Sequence, residues 1–148
     1  MLVLDTTVLV YAKGAEHRYR EPCQLLFDAI ADGRVTATCT VEVIQEFVHI
    51  RGRRYGRGNA VAWARAYGDI LAPLMTADSG DLDLGMDLYA RHDRLGAFDA
   101  ILAAVAINAG ASALVSADRA FADVSRLTHV VPDQAGIGEL LRDFPSSS

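Results

Sequence analysis

The sequence predicts an α/β fold of three layers, with a mostly parallel central sheet covered by helices on both faces. Two observations carry this. Short apolar runs of strand length, each closed by a polar or turn residue, alternate with longer stretches whose apolar residues recur at helical spacing. Successive strands separated by helical stretches are the mark of parallel pairing, because parallel neighbours need long crossovers. The 148 residues, 51% of them hydrophobic, amount to about one domain with a sizeable core to bury.

Leu2–Leu4 reads as a buried strand that stops at Asp5. No element is assigned before Pro22–Ala31, which has helical spacing and stops at Gly33. Val35–Thr38 is a second strand, and Thr40 caps a helix through about Ile50. "RGRRYGRGN" reads as a connection, after which Ala60–Leu71 is a helix closed by Pro73. A short strand is expected at Leu74–Thr76, then a helix from Ser79 to Arg91. A buried helix from Asp99 to Asn108 ends at Gly110 and feeds a strand at Ala113–Ser116. A last strand, His129–Val131, and a short helix after Gly136 complete a single domain over residues 1–145, with Ser146–Ser148 as a flexible tail.

Composition excludes several classes. The longest apolar run, Ala100 to Ile107, is far too short to cross a membrane, which takes about 18 residues. Asp5 interrupts the apolar start, so it does not read as a secretory signal, and a cytoplasmic protein is expected. Cys23 and Cys39 are too few and too distant for a zinc cluster and read as packing residues. A net charge of −5 argues against a general coating of nucleic acid. Lys13 is the only lysine, which removes any mechanism that needs one late in the chain.

The acidic residues carry the chemistry. In open parallel sheets the ligand site lies beyond the carboxyl ends of the strands. Asp5 ends the first strand, and Asp118 stands two residues past "ALVS" with the Ser116 hydroxyl beside it. Each could merely cap the next turn or helix, but together they bring two carboxylates to one edge. Asp99 heads "DAILAAVAI", where capping is again a sufficient explanation taken alone. Glu42 and Glu46 share a face of the "TVEVIQEFVHI" helix. Glu42 points away from its apolar arc, while Glu46 lies at the edge and reads as half-buried. Crowded carboxylates repel unless a cation neutralises them, and an all-oxygen set favours Mg²⁺ or Mn²⁺ over zinc. Metal-assisted hydrolysis of a phosphodiester is the reaction that suits such a site.

"LDTTVLVYA", "TVEVIQEF", "FDAILAAVAINAG" and "ALVSADRAF" resemble, in order and over essentially the whole chain, the successive acidic motifs of the PIN-domain family. Within it, the VapC-type ribonuclease toxins of toxin–antitoxin pairs are the nearest in pattern. The resemblance implies a flavodoxin-like α/β/α fold and a Mg²⁺- or Mn²⁺-dependent endoribonuclease. It implies Asp5, Glu46, Asp99 and Asp118 as acidic site positions, with Thr7 and Ser116 at accompanying hydroxyl positions. Thr7 stands where the family often carries Asn. A VapB-type antitoxin partner and a homodimer formed through the apolar faces of the later helices are implied as well.

The alternatives are a catalytically inactive module that only binds a partner and, with less support, a haloacid-dehalogenase-type phosphatase. The phosphatase needs a second Asp where Thr7 stands, and a downstream lysine. A receiver domain lacks the same lysine, and a di-iron site would need a second copy of Glu46-x-x-His49. His17, His92 and His129 have no second ligand at metal spacing, while His49 is placed to border the cleft. Trp63, Tyr67 and Tyr89 read as packing residues, and Asp78, Asp81, Asp83 and Asp87 as a solvated helix start and face. Arg51, Arg53, Arg54 and Arg57, with no acid among them, are candidates for contacts with RNA phosphates.

Overall fold

The computed structural model describes residues 1–144, and the expected tail at Ser146–Ser148 lies outside them. Four strands, β1 (Leu2–Leu4), β2 (Ala37–Thr38), β3 (Ala113–Val115) and β4 (His129–Val130), pair in parallel in the order β2-β1-β3-β4. Leu2 faces Ala37 on one side and Ala113 on the other, and Leu4 aligns with Val115. All of β1 and β3 is buried, as the apolar runs require when helices cover both faces. The helices are α1 (Thr6–Lys13), α2 (Arg20–Ala31), α3 (Val41–Tyr55), α4 (Arg57–Ile70), α5 (Ser79–Arg91), α6 (Ala97–Asn108) and α7 (Gln134–Leu141), with a 3-10 turn at Arg119–Asp123. The layers are those expected of the three-layer class.

Several elements differ from the sequence reading. "TTVLVYAK" forms α1, although its β-branched residues are poor helix formers. Burial of Thr6, Val8, Leu9 and Ala12 outweighs propensity there. Helix α3 does not stop at Ile50 but runs through Arg51, Arg53 and Arg54 to Tyr55, so most of the supposed connection is helical. The break comes only at Gly56, whose φ of 88° suits glycine, and α4 starts immediately after it. The Leu74–Thr76 strand reduces to a single bridge between Met75 and Thr40. Helix α7 begins before Gly136 rather than after it. Asp133 caps it by accepting from the Gly136 N–H at 2.7 Å, and a side chain at Gly136 would collide with the Val131 carbonyl.

One hydrophobic core joins the sheet to the helices, with Tyr67, Phe47 and Phe121 its largest fully buried members. Tyr67 donates to the Leu9 carbonyl at 2.8 Å, tying α4 to α1. Trp63 is half-buried under the Lys13 ammonium, whereas Tyr89 is 52% exposed and does not pack as expected. Cys23 and Cys39 are buried and unpaired, and burial pushes both thiols up to about 12, so they remain protonated packing groups. Asp81 is buried rather than solvated: it forms a reciprocal cap with Asp78 and accepts from Asn108 at 2.8 Å.

Candidate active site

The chain reverses direction across the sheet between β1 and β3, and the crevice at their carboxyl ends holds the acidic residues. Asp5 follows β1 directly and is 5% exposed. It occupies the N-cap position of α1, yet its side chain makes no capping bond. Its Oδ2 instead accepts from Ser116 Oγ at 2.6 Å and from Thr7 Oγ1 at 3.1 Å. The fully buried Ser116 also accepts from the Asp118 N–H, and Thr7 accepts from the Ala117 N–H, both at 3.0 Å. The segment after β3 is thereby sewn to the start of α1. Burial raises the Asp5 carboxyl above its ordinary value. Hydrogen bonds from Ser116, the Thr6 amide and Thr7 oppose that rise, and the Glu46 charge adds to it.

Glu46 is more exposed than its helical position suggested, but it is held. Thr6 Oγ1 donates to its Oε2 at 2.8 Å, which also joins α3 to α1. Asp99 is the third residue of α6, not its first, because Gly96 takes the capping place and the helix begins at Ala97. Its half-buried carboxyl is pushed up to about 7, first by burial and then by the charges of Asp5, Asp118 and Glu46, with a hydrogen bond shared with Asp118 in the same direction. Asp118 is exposed and does cap, accepting from the Ala120 N–H at 2.9 Å. The capping reading holds for Asp118 and fails for Asp5.

Asp5, Glu46 and Asp99 edge a cleft of about 810 Å³ that Glu42, His49 and Phe98 also line; Asp118 lies outside that lining. His49 borders it, as its position on α3 suggested. No three acidic, histidine or cysteine side chains among the described residues already surround one point closely enough to hold a metal ion. The chemistry of the donor set nonetheless suits a hard divalent cation. The groups that act on Asp99 are carboxylates and burial, with no cation among them, so Asp99 meets a repulsion that a bound ion would relieve.

The four arginines divide. Arg51 is engaged within the fold: its Nε donates to Asn59 at 2.7 Å, one Nη donates to the Lys13 carbonyl at 2.8 Å, and its guanidinium lies 3.8 Å over the Tyr55 ring. Arg53 and Arg54 are exposed on the last turns of α3, and Arg57 is exposed at the start of α4. Arg53 lies two turns beyond Glu46 and returns to the face that carries Glu46 and His49. Thr6 is a site residue that the sequence reading passed over. Its only signal was its place beside Asp5, which becomes meaningful once α1 is known to be a helix.

The PIN domain family model matches residues 2–127, a span that contains all four acids. Ribonuclease VapC7 of Mycobacterium tuberculosis is 54% identical over 147 residues, covering 97% of this chain and 99% of the relative. Ribonuclease VapC13 of the same organism is 27% identical over 122 residues, covering 82% of this chain and 92% of the relative. Among solved structures, that of VapBC2 from Rickettsia felis bound to a DNA fragment from its promoter matches with a TM-score of 0.70 over 88% of this chain and 97% of that chain. Its identity of 16% makes this a likeness of fold alone. The fold, the order of the acidic motifs and a near-full-length relative agree: this chain belongs to the PIN-domain family and, within it, to the VapC type.

Proposed function

We propose that this protein is a Mg²⁺- or Mn²⁺-dependent endoribonuclease, the toxin of a VapBC-type pair. The observation that carries the reading is that Asp5, Glu46, Asp99 and Asp118, from four separate segments, come close enough for their charges to act on one another. The ribonuclease names of the two M. tuberculosis relatives support the substrate.

The four carboxylates would hold the metal, which when bound supplies an activated water and stabilises the departing oxygen. Ser116 and Thr7 fix the orientation of Asp5, leaving its Oδ1 free of them. Thr6 holds Glu46 by Oε2. Burial and the neighbouring carboxylates push the Asp99 carboxyl up to about 7, so a cation entering the cleft would favour its charged form. Because water rather than the ribose 2′-hydroxyl attacks, the products carry a 5′-phosphate and a 3′-hydroxyl.

A VapB-type antitoxin is the proposed restraint, as the paired name of the R. felis structure suggests. A segment of it placing an arginine against the carboxylates and apolar side chains in the cleft would suit the charge. Leu82, Met86 and Tyr89 form an exposed apolar stripe on α5 and are assigned to a homodimer contact.

The test is cleavage of total RNA by the purified chain with Mg²⁺ or Mn²⁺ and with excess EDTA, with end-group analysis of the products. Cleavage that EDTA abolishes, leaving 5′-phosphates, supports the reading. Full activity in EDTA, or cyclic phosphate ends, refutes the metal mechanism. Absence of cleavage under every condition favours the inactive binding module.

A further inference from the structure

Phe98 is 85% exposed, the most exposed large apolar side chain among the described residues. It lines the same cleft as Asp5, Glu46 and Asp99 and immediately precedes Asp99 in the chain. A phenyl ring left in water gains nothing for the fold, so its place here is not explained by packing. Nor is it an accident of local space. Phe98 is the second residue of α6, and helical side chains lean toward the N-terminus, which carries the ring out past the end of the helix. Gly96 and Ala97, which precede it, have no side chain that could cover it. Helix α3 lines the cleft with Glu42, Gln45, Glu46 and His49, and with Val43 as its one apolar residue there.

We propose that Phe98 is a positioning residue for substrate, stacking against the base of a nucleotide next to the reacting phosphate; this rests on the ribonuclease reading above. A nucleobase is the planar, half-apolar group that an exposed ring accepts, and single-stranded RNA presents its bases unstacked for such contacts. The connectivity matches as well. One sugar separates a base from its phosphate, and Phe98 and Asp99 line one cleft from the first turn of α6. Stacking takes any base, so Phe98 sets the position of the strand over the carboxylates more than its sequence.

The experiment uses the full chain, Mg²⁺ and a short oligoribonucleotide that spans a mapped cleavage site, intact or made abasic at the nucleotide on either side of the scissile phosphate. Phe98→Ala lowers kcat/KM on the intact substrate by roughly tenfold or more, and Phe98→Trp stays within about threefold of wild type, as one base–aromatic stack predicts. On one of the two abasic substrates the wild type suffers a similar loss, and Phe98→Ala adds no further loss. In an Asp99→Asn background, 2-aminopurine at that position is quenched on binding, and Phe98→Ala removes the quench. Equal losses on intact and abasic substrates overturn the inference. So does sedimentation showing that Phe98→Ala loses activity only by dissociating a dimer. A wild type that cleaves while Phe98→Ala is unimpaired overturns this inference alone, whereas a wild type that never cleaves removes the ribonuclease reading and this inference with it.

Discussion

Replacing Asp99 by Asn removes one charge from the acidic cluster while keeping shape, and the structure sets the size and the pH dependence of the effect. The carboxyl is pushed up to about 7 from an ordinary 3.8, first by burial and then by three neighbouring carboxylates that oppose its ionisation. A carboxyl raised in this way binds its proton more tightly when folded. The penalty is therefore absent below the unfolded value, grows as pH climbs from about 4 to about 7, and is constant above that. At ~1.36 kcal/mol per pH unit the nominal penalty is about 4 kcal/mol. Asp99 is only half-buried, and solvent screening reduces this to roughly 1–2 kcal/mol. In metal-free buffer at about pH 8, Asp99→Asn is thus expected to be more stable than wild type by that amount, or by several degrees in Tm for a chain of this size. At about pH 4 the difference vanishes, since Asp99 is then protonated. Urea unfolding of both proteins at the two pH values, with EDTA throughout, measures this directly. A variant no more stable at pH 8, or equally stabilised at both pH values, would refute the electrostatic account of the cluster. The same variant is expected to lose RNA cleavage. Mg²⁺ is expected to stabilise wild type, by ~2.7 kcal/mol at a hundredfold excess over Kd, and to do so less in the variant.

Ser116→Ala strips a buried hydroxyl that serves both Asp5 and the Asp118 N–H. It should cost about 1–3 kcal/mol of stability and lower cleavage, measured by urea unfolding and initial rates; full stability and full activity would show that the hydroxyl does not hold the site. Arg53→Gln with Arg54→Gln should weaken RNA binding and flatten its dependence on log salt by about 0.7 for each phosphate that an arginine no longer neutralises, read from a salt titration. Arg51→Ala, by contrast, should leave that slope unchanged and lower Tm, because its donors serve Asn59 and the Lys13 carbonyl.

Much of the fold was legible because strand and helix identity is local where the pattern is strong. The buried runs Leu2–Leu4 and Ala113–Val115 and the periodic stretch Ser79–Arg91 appear where the sequence places them. Asp5 was legible for a related reason: a charge directly after a buried strand is conspicuous in any environment, whereas Glu46 and Asp99 lie within helices. Helix α1 was not legible, since "TTVLVYAK" favours no helix by itself and becomes one by burying a face against α2, α3 and the sheet. The extension of α3 through the arginines was hidden by Gly52, a tolerated glycine, while the real break at Gly56 depends on a backbone angle that no composition reveals.

The sequence by itself determined an α/β domain with acids at its strand ends and helix starts. Only the tertiary structure decided what each acid touches. Ser116 meets Asp5 across 111 residues of chain, and Thr6 reaches Glu46 across 40. Asp99 is driven to about 7 by burial and then by charges on other segments, Arg51 is withdrawn into the fold, and Phe98 is left bare at the cleft. Hydrogen bonds, desolvation and Coulomb forces act through space over a few ångströms, whereas a sequence records only order along the chain.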